Sequence, residues 1–329
     1  MSDGPPERDT SAPRTSSEFA RIDVIRRLLT EGSPLAAQVL LGIGDDAAAL
    51  APVDEPLVWT VDCAVDGVHF RHDLMSFEDA GYRATMAAAS DLAAMGARPL
   101  GLLASLILPR GLSDADLEAL VRGQRAACDT IGAPLIGGNL ARGRELSITT
   151  TALGATPRPL RRDGARPGDE LALAGPVGLA AAGLRLAQQG GPVHAEALAA
   201  FRRPLARIEA GLSAREGAHA GIDISDGLAS DLGHLIRASG IRAELDAAAL
   251  LTDSLREAAT LVGADPLDLA LHGGEDYALL VAGPSVGALP GFTRIGRCMA
   301  GTPGTPEILL ASADGRATAV TGRGFDHFT

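Results

Sequence analysis

The chain has 329 residues, 46% of them hydrophobic and 21% charged, with a formal net charge of −12. It is too long and too apolar for a disordered protein and has the size of roughly two domains of ~150 residues. All 29 basic residues are arginines, and the absence of lysine excludes P-loop nucleotidases, protein kinases and Schiff-base enzymes, each of which needs one.

The acidic balance argues against a nucleic-acid partner, because phosphate backbones are held by clustered basic side chains. Cys63, Cys128 and Cys298 are odd in number, widely spaced and in no ligand pattern, as expected for thiols of a reducing compartment. No apolar run reaches the ~18 residues of a membrane span. Residues 1–17 are rich in Pro, Ser and charge and lack the apolar stretch of a signal peptide, so they read as a flexible tail and the chain as cytoplasmic.

A short helix is expected around 18–29. LVWTVDCAV at 57–65 is a strand by its β-branched and aromatic content and its period of two. An Ala-rich helix at 80–95 stops at Gly96 and Pro99. A buried strand follows at 100–108. Ser113 caps the next helix, Asp116 completes a capping box, and Gly132 ends the helix. Strands are expected at 133–136 and 146–153. The Pro-, Gly- and Arg-rich stretch 156–169 marks a domain boundary. Beyond it come a strand at 170–174, helical segments over 179–217, a strand into Ile222, a helix at 227–238, and short strands at 277–282, 293–295 and 308–311. Each half is α+β.

Carboxylates in apolar surroundings carry the chemistry. Asp45 and Asp46 follow LLGIG; Asp62 is mid-strand, sharing a face with Thr60 while Trp59, Val61 and Cys63 point the other way. Asp91 interrupts an Ala-rich helix, and Asp223 and Asp226 flank Ser225 at a strand-to-helix turn. Each has a plain alternative: GDD as a turn, Asp226 or Ser225 as a helix N-cap, Asp91 on a polar helix face. Asp62 resists such a reading, since Asp is depleted in strands. Together they suit several hard divalent cations holding phosphate, and bound cations invert the local charge of an acidic protein. GGN at 137–139 and HGGED at 272–276 read as glycine turns whose backbone amides can approach phosphate.

GIGDDAAAL, the segment from Thr60 to Phe70, SDLAAMGARP, IGGNLARG, LRRDGARPGDEL, IDISDGLASDLGH and LHGGEDYALL occur in the order found in thiamine-monophosphate kinases. The closing GFDHF is similar to that family's end. SDLAAMGA and IDISDGL mark a wider superfamily that includes aminoimidazole ribonucleotide synthetase, selenophosphate synthetase and a hydrogenase-maturation protein; VHF and GGEDY point to the thiamine member.

The resemblance implies an α+β, two-domain aminoimidazole ribonucleotide synthetase-like fold. An N-terminal α/β domain at 18–156 would bind ATP and metal and form a homodimer, followed by a C-terminal α/β domain at 157–329. It implies ATP-dependent phosphorylation of thiamine monophosphate to thiamine diphosphate, with ATP as co-substrate and several Mg2+ ions. Asp46, Thr60, Val61 through its backbone, Asp62, Asp91, Asn139, Asp223 and Asp226 match metal positions, with Asp45 adjoining them. Gly138, Asn139, Arg162 and Ser225 match ATP contacts, and His69, Glu275 and Gly322 match contacts to thiamine monophosphate. The acceptor is a phosphate monoester with a second pKa of ~6, already nucleophilic at neutral pH, so no side chain is assigned as a catalytic base.

Two positions depart from the family. Asn139 stands where Asp is common, which keeps an oxygen donor but removes a charge, so one magnesium is expected to be held more weakly. Gly322 stands where the family can place a Trp that stacks on thiamine. The competing expectations are another ATP-using synthetase of the superfamily, or a nucleotide-binding regulatory protein that has lost turnover.

Overall fold

The computed structural model describes residues 17–30, 37–301, 307–312 and 315–323. Nearly all of the expected tail and the closing GFDHF lie outside the described residues.

Helix α1 (Glu18–Thr30) leads to a two-stranded pair, β1 (Val39–Leu41) and β2 (Ala49–Leu50), whose connection carries GIGDD. The alternating pattern at 57–65 forms β3 (Leu57–Val65), the edge of a four-stranded sheet of order β3-β6-β4-β5. The other members are β4 (Arg98–Pro109), β5 (Leu135–Gly143) and β6 (Ser147–Ala155). β4 and β5 are parallel and therefore need a crossover, which α3 (Asp114–Ile131) supplies. α3 starts at the Ser113–Asp116 capping box and ends at Gly132 with φ 74°.

The structure lengthens the strand expected at 293–295 to Phe292–Ala300, adds β9 (Ile241–Asp246) and β13 (Ala317–Val320), and corrects the reading of GGN. The segment expected to stop at 136 continues to Gly143, so GGN lies in β5 and is not a turn. Pairing of Gly138 with Ala104 and of Asn139 with Ser105 satisfies its backbone. A Cβ on Gly138 would fall 1.9 Å from the Ala104 carbonyl oxygen, so glycine here reflects close strand approach.

Helix α2 (Phe77–Ala94), capped by Ser76, packs against α3, β3 and β6. Its Gly81 and the Gly123 of α3 let the two backbones touch; a Cβ on Gly81 would lie 2.0 Å from the Leu120 carbonyl oxygen. α2 also meets β8 and β10 of the second sheet. It is covered on all sides, and every residue from Ala80 to Ala94 is buried except Asp91.

The second sheet has seven strands in the order β13-β12-β9-β11-β7-β10-β8. These are β7 (Glu170–Ala174), β8 (Ala220–Ile224), β9 (Ile241–Asp246), β10 (Ala278–Gly283), β11 (Phe292–Ala300), β12 (Ile308–Ala311) and β13 (Ala317–Val320). Among the described strands of this sheet, only β9 and β12 pair in parallel. Helices α4 (Leu179–Gln189), α5 (Ala195–Arg202), α6 (Ile208–Ala214), α7 (Leu228–Ser239), α8 (Ala247–Leu250), α9 (Asp253–Val262) and α10 (Pro266–His272) complete the half.

One hydrophobic core lies under the seven-stranded sheet, around Leu171, Ile224, Leu232 and Leu280. Another lies between the smaller sheet and α2 and α3, and it takes in Phe201, Ala206 and Ile208 from the second half. The halves thus share apolar packing, worth roughly 1.5–3 kcal/mol for each large side chain fully buried. Among the described residues no helix is long and apolar enough to cross a membrane.

Candidate active site

Thr60 and Asp62 point inward from β3 and are half-buried, while Leu57, Trp59 and Val61 on the other face are exposed by 59%, 70% and 64%. The Thr60 hydroxyl donates to Asp91 Oδ2. Immediately before Asp91 in α2, Ser90 Oγ donates to Asp223 Oδ2 at 2.7 Å. Three carboxylates from β3, α2 and β8 therefore face one region. Burial pushes the Asp223 carboxyl up to about 6, and the charge of Asp91 adds to this, against the Ser90 bond and Arg162. Asp91 is raised too, by burial first and by Asp62, and lowered by Thr60 and Arg162. The Arg162 guanidinium is thus the cation facing both.

The turn after β8 is held differently from a plain helix start. Gly227 is the N-cap of α7 and makes no side-chain cap, so neither Ser225 nor Asp226 caps the helix. Buried Asp231, in the first turn of α7, instead accepts from the backbone N–H groups of Ser225 and Asp226 at 3.0 Å each. This leaves the Ser225 and Asp226 side chains, both half-buried, out of the scaffold. Burial and the charges of Asp226 and Asp223 push Asp231 up to about 7, against those backbone bonds.

The HGGED loop is strapped onto this turn: Glu275 N donates to Ser225 O at 2.6 Å and Tyr277 N to Ile224 O at 2.9 Å. Glu275 and Tyr277 adopt φ of 64° and 49°, left-handed conformations that cost about 1 kcal/mol or more each and are sustained by these bonds. Between them, buried Asp276 accepts from Gly178 N at 2.6 Å and Ala180 N at 3.1 Å, anchoring the start of α4.

Asp62, His69, Arg83, Glu275 and Tyr277 line one narrow cleft. His69 accepts at Nδ1 from Val65 N, 3.1 Å away, so a neutral imidazole carries its proton on Nε2. A larger cleft of about 260 Å³ opens beside α1, between Arg21, Arg110 and Arg142, and none of the expected site residues lines it.

Other expected residues lie elsewhere. Asp62 pairs with Thr150, Thr150 with Ala104, and Ala104 with Gly138. Gly138 and Asn139 are therefore three strand spacings, about 14 Å, from β3, on the opposite edge of the sheet. Asp46 is exposed, and its N–H donates to Asp45 Oδ1 at 2.9 Å. The segment after GDD runs beside β5, since a Cβ on Gly137 would lie 3.9 Å from Ala48 Cβ. Gly322 rests on the start of α7, where a Cβ would lie 3.1 Å from Ser230 Cα. A large side chain there requires the backbone to shift.

Among the described residues no three His, Cys, Asp or Glu side chains converge tightly enough to form a metal centre by themselves. The donor chemistry nonetheless fits magnesium. Thr60, Asp62, Asp91, Asp223 and Asp226 offer oxygen only, and the raised pKa values of adjacent Asp91 and Asp223 mark buried charge that a cation would offset.

Arg83, Ser90, Asp231 and Asp276 shape the site without having been singled out in the sequence. A faint signal existed for two of them: an Arg within the Ala-rich run of α2 and an Asp on the apolar first turn of α7.

Residues 44–156 match the family described as AIR synthase related protein, N-terminal domain. The thiamine-monophosphate kinase of Mycobacterium tuberculosis is 39% identical over 290 residues, which cover 86% of this chain and 85% of that one. The crystal structure of thiamine-monophosphate kinase from Stenotrophomonas maltophilia K279a superposes with a TM-score of 0.77 at 38% identity, over 92% of this chain and 98% of that one. The structure of AaThiL complexed with AMPPCP and TMP gives a TM-score of 0.76 at 32% identity, over 94% and 97%. With this identity over most of both chains, and with an aminoimidazole ribonucleotide synthetase-like α+β fold, the chain belongs to the thiamine-monophosphate kinase family.

Proposed function

We propose that the chain transfers the γ-phosphoryl group of ATP in line onto the phosphate of thiamine monophosphate, giving thiamine diphosphate. The observation that carries this reading is the meeting of Asp62, beside Asp91 and through it Asp223, with His69 and Glu275 at one cleft. Relatives named thiamine-monophosphate kinase and the AaThiL complex with AMPPCP and TMP support it.

In this reading Thr60, the Val61 carbonyl, Asp62, Asp91, Asp223 and Asp226 hold magnesium, which when bound neutralises phosphate charge. Arg162 and Ser225 face the nucleotide. His69 and Glu275 orient the acceptor, whose ionised phosphate oxygen attacks without a protein base. The site draws on both proposed domains, 18–156 and 157–329.

A second copy completes it. Asn139 and Gly138, with the segment after GDD beside them, lie on the far edge of the sheet; about 14 Å separates them from Asp62, too far for one cation to be shared within one chain. β3 and β5 are both open edges, and β3 exposes Leu57, Trp59 and Val61. Two copies joined through these sheets bring Asn139 and Asp46 of one to Asp62 of the other, as a homodimer with two equal sites.

The test is a coupled assay with ATP and magnesium, comparing thiamine monophosphate with unphosphorylated thiamine. Formation of thiamine diphosphate, with thiamine a poor acceptor, is expected; the thiamine alcohol would need a base to lose its proton. Comparable rates on both would overturn the direct phosphate-to-phosphate route.

A further inference from the structure

Arg83 is the one cation in the long buried stretch of α2 and is only 4% exposed. A buried guanidinium is costly unless its donors and charge are met. Here one nitrogen donates to the Phe201 carbonyl and another to Glu275 Oε2, partners 118 and 192 residues away in sequence. The guanidinium also lies over the Phe201 and Tyr277 rings, 5.4 and 5.9 Å from their centroids. Four contacts to three residues fix it to one position.

Glu275 is fixed far less by its own surroundings. It sits in a left-handed loop conformation, and its side chain is 34% exposed. Its backbone is tied to Ser225, but among the described residues its Oε1 receives no hydrogen bond, and Oε2 is met by Arg83. A strut between the two halves would need neither an open oxygen nor a cleft. This carboxylate has both, and it shares the cleft with Asp62 and His69.

Resting on the proposed kinase reading, we propose that Arg83 is the positioning residue of the acceptor site, clamping one Glu275 oxygen so that the other is presented to the cationic organic portion of the phosphate acceptor. An Arg fork suits this task better than an ammonium, because it can hold the Phe201 carbonyl and the carboxylate at a set angle while lying flat on two rings. The clamp acts on acceptor binding and leaves the nucleotide side, around Arg162 and Ser225, untouched.

The experiment measures KM for thiamine monophosphate at saturating ATP, and KM for ATP at saturating acceptor, in the unmutated protein, Arg83→Met, Arg83→Lys, Glu275→Gln and the double variant Arg83→Met/Glu275→Gln. Loss of a charged hydrogen bond predicts an acceptor KM raised about tenfold or more in Arg83→Met, with KM for ATP within about twofold of the unmutated value. Arg83→Lys should recover part of the loss, and the double variant should be no worse than the poorer single one, since both remove one interaction. If Arg83→Met does not fold, Arg83→Lys carries the test: its acceptor KM must rise while its KM for ATP does not. Equal rises in both KM values, or additive effects in the double variant, would show a structural strut and overturn the proposal. Absence of transfer to thiamine monophosphate by the unmutated protein would instead overturn the kinase reading.

Discussion

Ser90 Oγ donates to Asp223 Oδ2 at 2.7 Å, joining a helix of the first half to a strand of the second across 133 residues of sequence. Both residues are buried, so the bond links α2 to β8 and partly offsets the upward push that burial gives the Asp223 carboxyl. Ser90→Ala removes the donor and leaves the carboxylate oxygen unmet, which costs about 1–3 kcal/mol. A thermal melt of the metal-free variant should show a lower midpoint. An unchanged midpoint would mean that the bond contributes nothing to the joint.

Asp62 points inward from mid-strand beside Thr60 and Asp91, and in this position its charge serves no ion pair among the described residues. Asp62→Asn is nearly isosteric and should leave the melting midpoint within a few degrees. Under the proposed reading turnover should fall by about two orders of magnitude or more, because a charged ligand of the phosphate-neutralising cation would be lost. Full activity in a folded Asp62→Asn protein would make the residue structural.

The wide separation of Asp62 and Asn139 permits a complementation test. Asp62→Asn damages the β3 side of a site, and Asn139→Arg, on the exposed β5 edge, damages the other side. If each site uses one residue from each copy, co-expressing the two defective chains should restore about a quarter of the unmutated rate. Half of the dimers are then mixed, and each mixed dimer has one sound site. Activity no higher than that of either variant alone would place both residues in the same chain's site.

Burial raises Asp223 from its ordinary value of 3.8 to about 6, so the metal-free folded protein binds a proton there that the unfolded chain has released. This contribution to stability is present below pH 3.8 and is lost as pH rises through about 6. A metal ligand must be ionised, so under the proposed reading of Asp223 magnesium would compete with that proton. The magnesium concentration for half-maximal rate should therefore fall as pH is raised from about 5.5 to 7.5. Calorimetry at pH 6 should show proton release on binding. A magnesium dependence that is flat across this window would remove Asp223 from the metal set.

Elements whose pattern is local are legible in the residues alone. The period of two at 57–65 placed Thr60 and Asp62 on one face of β3, and the Ser113–Asp116 box with Gly132 bounded α3. Ordered motifs spread over most of the chain were enough to indicate the family, because those residue types recur at fixed spacings. Tertiary structure decided what depends on partners distant in sequence. GGN reads as a turn until parallel pairing with β4 draws it into β5. Asp226 reads as a cap until Asp231 is seen to hold the turn in its place. The partners of Arg83 lie 118 and 192 residues away, beyond any local pattern. Sheet order is equally hidden, since strand pairing is set by the burial of whole faces. That order puts Asp62 and Asn139 on opposite edges, although their motifs read as parts of one site.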